Sequence, residues 1–132
     1  MTPAEIEAIR AHAERFITVI AEHVGQTLTY DRAGVEWVDG YVQRQHEQGD
    51  PKIREGLAKT VACYLGECII RGVGGEWAMV SGMWAIRFDE RNAAYPLNKV
   101  QKHLENGAED SILSFYDTIA TLVAQGVFPK RV

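Results

Sequence analysis

Glu67 and Arg71 lie four residues apart with the acid first, the order that favours an ion pair along a helix face. They stand in "YLGECIIRGVGGEW", residues 64–77, which also holds Gly66 and Trp77. The residues around Glu67 are mostly apolar, and a buried charge without partners is very costly. Arg71 is the first candidate partner, with Trp77 or a backbone amide next. Gly66 would let another backbone come close. Two readings follow. In one, Glu67 is a general base or a recognition acid, and Glu67, Arg71 and Trp77 form a small-ligand or hydrolytic site. In the other, Glu67 and Arg71 form a partly buried salt bridge that fastens a helix to a sheet, an arrangement that often imitates a site. The spacing favours the bridge.

The glycines of the same stretch suggest a phosphate cradle, but the order of elements argues against one. Phosphate loops follow a strand and open a helix, so that helix-start amides face the anion. Here an apolar helical run comes first and a strand-like run follows. Gly72, Gly74 and Gly75 therefore read as a helix end and a sharp turn. Nucleophile signatures of the G-x-S-x-G and S-x-x-K kinds are absent. Ser81 in "VSGMW" reads as turn chemistry, and Asp89, Glu90, Arg91 and Asn92 as a solvated loop. Cys63 and Cys68, five apart on one helix, are poorly placed to bridge each other and match no zinc pattern. They read as reduced core residues. His12, His23, His46 and His103 include no pair at the helical metal-binding spacing and read as surface groups. The expectation is no metal, no cofactor and no firm catalytic residue beyond the Glu67 and Arg71 candidates.

Trp77 and Trp84 fall in two strand-like runs, "EWAMV" and "MWAIRF", on either side of Ser81-Gly82. Aromatic side chains serve cores first and interfaces second. On paired strands these two could stack across the ladder. An exposed face there would make them a docking patch, and the hairpin edges could recruit a partner or a second copy. Trp84 or Trp77 is expected to lie partly exposed beside the sheet edge.

The elements that would position these residues are mostly helical. Thr2, Pro3 and Glu5 make a capping box for a first helix, with Ile6, Ile9, Ala13, Phe16, Ile17 and Ile20 on one face and Gly25 ending it. Asp31 caps a second helix through residues 32–48, with Val35, Val38, Tyr41 and Val42 inward; a hairpin around Asp39-Gly40 is the alternative. Asp50 and Pro51 open a third, carrying Ile53, Leu57, Val61, Leu65 and Ile69 at spacings of four. After the hairpin, Pro96 opens a helix that ends near Asn106-Gly107. The last helix has Ile112, Phe115, Tyr116, Ile119, Leu122 and Val123 inward, Glu109 and Asp110 at its positive end, and Gly126 as terminator. The tail "VFPKRV" suits a short extended piece. The result is a mainly helical α+β fold with a small antiparallel hairpin after the third helix, in the order α-α-α-β-β-α-α.

The totals limit the partners. At 132 residues the chain suits one domain, residues 1–132. Hydrophobic content of 46% argues against disorder. A net charge of −4 is too acidic for a protein that chiefly neutralises phosphates, so no nucleic acid is expected. No apolar run is long enough to span a membrane, and the amphipathic start is no signal peptide, so a cytoplasmic location is expected.

Leu65, Gly66 and Glu67, then Gly74, Gly75 and Trp77, then Pro96, and finally Asn106, Gly107, Glu109, Asp110 and Ser111 form a pattern over the C-terminal half. It resembles a group of small bacterial proteins of unknown function. The resemblance implies a bacterial source and an α+β domain; it brings no activity and no catalytic residue. By elimination the chain is expected to be a non-enzymatic protein-binding module, an inhibitor, immunity-type or regulatory partner. A ligand or hydrolytic site at Glu67, Arg71 and Trp77, and a structural homodimer, are the alternatives.

Overall fold

The computed structural model describes residues 1–127; the "VFPKRV" tail lies outside them apart from Val127. These residues form five α-helices and a three-stranded sheet. Helix α1 runs Pro3–Val24, α2 Arg32–Gln48, α3 Arg54–Gly72, α4 Pro96–Asn106 and α5 Ile112–Ala124. Strands β1 (Glu76–Val80), β2 (Met83–Arg87) and β3 (Ala93–Ala94) follow α3, and the chain order places them side by side as β1-β2-β3.

The caps fall where the sequence puts them. Thr2 accepts from the Glu5 amide and Glu5 reaches back to Thr2, the reciprocal box that satisfies two orphan donors of α1. Asp31 accepts from the Gly34 amide and starts α2. Residues 32–48 are therefore helix, not hairpin, and Val35, Val38 and Val42 are fully buried on its inner face. Helix α3 is the centre of the molecule. From Val61 to Ile69 every residue is buried, which only a helix covered on all sides can achieve. Helices α1 and α4 pack against it, while α2 bridges α3, α4 and α5.

Four expectations need correction. Pro51–Ile53 is a 3-10 turn capped by Asp50, so Ile53 stands outside α3 and is 56% exposed. Glu109 and Asp110 form a second 3-10 turn ahead of α5, whose cap is Ser111. The polar loop after β2 ends in a third strand: Ala93 pairs with Arg87 and Ala94 with Ile86. Two residues are too few to show alternation, so the sequence carried no strand signal there. His103 is fully buried rather than at the surface.

Between β1 and β2, Ser81 and Gly82 both take positive φ, the conformation of the two-residue turn that matches strand twist. Register then pairs Trp77 with Ile86 and Met79 with Trp84. The two tryptophans are diagonal neighbours on one face, with ring centroids 6.3 Å apart, edge to face.

Candidate functional site

Glu67 is 1% exposed near the end of α3, and both its oxygens are taken. Oε1 receives Arg71 Nη2 at 2.9 Å and Arg71 Nε at 3.0 Å, one helical turn on. Arg10 Nε approaches the same oxygen from α1 at 3.7 Å. Oε2 accepts from the indole Nε1 of Trp77 on β1 at 2.9 Å. One carboxylate thus ties α1, α3 and the sheet together. Gly66 makes this possible, though not by admitting a backbone: a Cβ there would overlap the six-membered ring of Trp77. The Cζ2–Cη2 edge of the indole takes the space where a side chain is missing, and its N–H reaches the next residue's carboxylate.

The arginines reach outward from this centre. Both are about half exposed, and the Arg71 guanidinium lies 3.7 Å from the centre of the Tyr30 ring. Tyr30 stacks on Tyr64, whose hydroxyl donates to the Thr29 carbonyl. The Tyr30 hydroxyl is buried and finds no hydrogen-bond partner among the described residues, and burial raises its pKa to about 12. Burial likewise pushes the Cys63 thiol to about 11 and the Cys68 thiol to about 12, so both are inert core groups as expected. Chemically, the Glu67 arrangement is a clasp. A general base needs an oxygen turned toward a bound substrate. Glu67 does not line the clefts at Lys99 and Ile119, at Arg54 and Gln101, at His12 and Trp84, or at Phe16 and Leu57.

No family model, curated protein or solved structure matches this chain. Function must be argued from its own surface.

Of the two tryptophans, only Trp84 reaches solvent. Trp77 is turned inward at 5% exposure, while Trp84 is half-buried with the Lys59 ammonium 5.7 Å from its ring centre. Beside Trp84 on the same face stands its cross-strand partner Met79, 41% exposed, while Met83, its neighbour along β2 and 39% exposed, points to the opposite face. A small cleft of about 180 Å³ continues from Trp84 between Ile9 and His12 of α1 and Lys59 of α3. The loop from Asp89 to Asn92 is closed on itself, with Asp89 accepting from the amides of Arg91 and Asn92 and from the Asn92 side chain. Those bonds hold the Asp89 carboxyl below its usual range.

A second buried polar group joins α2, α4 and α5 and had no sequence signal. His103 Nδ1 lies 3.3 Å from the Ile112 amide and 3.8 Å from Asp39 Oδ1, while Nε2 meets Gln43 Oε1 at 3.0 Å. Asp39 Oδ1 accepts from Ser111 Oγ at 2.6 Å and from the Leu113 amide. Ser111 therefore donates to the acid and not to the imidazole, so this Ser, His and Asp set is a brace and not a nucleophilic triad. Among the described residues no three His, Cys, Asp or Glu side chains gather as a metal site, and no helix is long and apolar enough to cross a membrane.

Proposed function

We propose that the chain is a non-enzymatic module that binds another protein through the outer end of its β1–β2 hairpin. The observation that carries this reading is the pair Met79 and Trp84, cross-strand partners that reach solvent on one face of the hairpin's outer end, with Met83 exposed on the opposite face. Methionines adapt to a partner's shape, and a tryptophan with an open edge is a frequent anchor. Strand β1 forms one border of the sheet, where a partner's strand can add. The net charge of −4 favours a basic partner and speeds its encounter. In this reading the chain is an inhibitor, immunity-type or regulatory partner in a bacterial cytoplasm, with no cofactor.

A ligand or hydrolytic site at Glu67, Arg71 and Trp77 has less support, since both Glu67 oxygens are engaged and the indole is buried. A second copy of the chain is the other occupant of the hairpin surface. Capture from lysate of the source organism tests the proposal, with a Met79→Glu/Met83→Glu double variant as control. A protein recovered in stoichiometric amount by wild type and lost with the folded double variant supports it. Equal recovery by both removes the hairpin from the interface. Sedimentation at several concentrations separates a foreign partner from a homodimer.

A further inference from the structure

We propose that the cleft between α4 and α5 binds a small carboxylate with an apolar body, the charge on Lys102 and Lys99 and the body on Phe115, Ile119 and Leu122. The cleft encloses about 350 Å³, the small end of the range for small-molecule sites. It opens beside β3, on the border of the sheet opposite β1, so it stands apart from the hairpin surface and does not rest on that reading.

Its chemistry is asymmetric. Buried Ile119 and half-buried Phe115 and Leu122 make an apolar wall. Donors converge on the rim from Tyr95, Asn98, Lys99, Lys102 and Thr118. Two lysines line the cleft and no acid does, on a chain whose net charge is −4. The acid beside Lys99, Asp110, accepts from Lys99 Nζ at 3.2 Å and from the Asn106 side-chain Nδ2 at 2.8 Å. Lys99 is thereby steadied with its ammonium 6.0 Å from the centre of the Phe115 ring. Lys102 is exposed and acts on Asp110 only through its field, with no hydrogen bond to it, so its ammonium can turn to an incoming group. One ammonium in surplus matches one negative charge. A phosphate ester would call for a denser set of donors or an arginine fork. The apolar wall next to the lysines gives the rest of such a molecule a place to leave water.

The test is a titration of the full chain, followed by amide NMR, with octanoate and 3-phenylpropanoate as probes and octylammonium as the charge-reversed control. Saturable shifts at Lys102, Thr118 and Leu122 are expected with a carboxylate and not with octylammonium. Lys102→Glu should weaken binding by about tenfold or more, the loss of a charge-assisted contact and its replacement by a like charge. Thr118→Trp, at an exposed position on the cleft wall, should fill the space and abolish binding without touching a charge. Circular dichroism confirms that both variants remain folded. No saturable shift with either carboxylate, equal shifts with octylammonium, or unchanged affinity in both variants would overturn the proposal.

Discussion

Single residues hold this molecule together at a few polar points. Glu67→Gln keeps an acceptor for Trp77 but removes the charge shared by Arg71 and Arg10. Because both arginines are about half exposed and can return to water, the cost falls below that of breaking a fully buried pair, about 1–3 kcal/mol. Urea unfolding of the variant measures it. Gly66→Ala should cost about 2 kcal/mol or more despite the better helix propensity of alanine, because the buried Trp77 ring occupies the space. A neutral or stabilised Gly66→Ala protein would mean that the indole does not rest on α3. Glu67 and Arg71 were legible because a helix turn makes them neighbours whatever the fold. Arg10 was not, since it reaches Glu67 only after α1 packs on α3.

His103 carries a pH dependence of the same kind. Burial holds its pKa below the ordinary imidazole value, with His46 and Lys99 acting in the same direction and Asp39 and Asp110 pulling against them. The unfolded chain therefore takes up a proton near pH 6.5 that the folded chain resists. Stability from this group is present above that pH and is lost as pH falls through it toward the lower folded value. Between about pH 7 and pH 5 the wild type should lose more stability than His103→Asn, whose amide oxygen can still accept from Ile112 but does not titrate. Parallel curves for the two proteins would contradict the brace as described.

Elements were read well where a long periodic face met a cap. Thr2, Asp31 and Pro96 each mark a true start, and Gly25, Gly107 and Gly126 each follow an end in the left-handed range of φ. Residues 32–48 carried two signals, Asp39-Gly40 for a turn and Val35, Val38 and Val42 for a helix, and burial of three valines outweighs one dipeptide. Gly40 tests that outcome. An added Cβ there meets only Arg44 Nη1, at an ordinary 3.6 Å, so Gly40→Ala should raise stability by about 0.5–1 kcal/mol. In a tight hairpin turn the same change would destabilise, and the sign of the shift in melting temperature decides. The short pieces escaped because three or two residues carry no period: the 3-10 turn at Pro51–Ile53 and strand β3 exist through their neighbours.

At the scale of the whole molecule, α3 is enclosed by helices and sheet, and the hairpin end leaves Met79, Met83 and half-buried Trp84 at the surface. The sequence placed Trp77 and Trp84 as equals; they share a face, but Trp77 rests against Gly66 while Trp84 lies nearer the turn, paired with exposed Met79. The clasp and the proposed docking surface share a strand yet should be separable by mutation. Capture by wild type, Glu67→Gln and Met79→Glu/Met83→Glu, each checked for stability, is the most direct measurement. The structure predicts that Glu67→Gln loses stability and keeps its partner, while the methionine variant keeps its stability and loses its partner. The reverse pattern, a partner or ligand lost with Glu67 and indifferent to the methionines, would contradict the hairpin as the working surface and return function to the buried carboxylate.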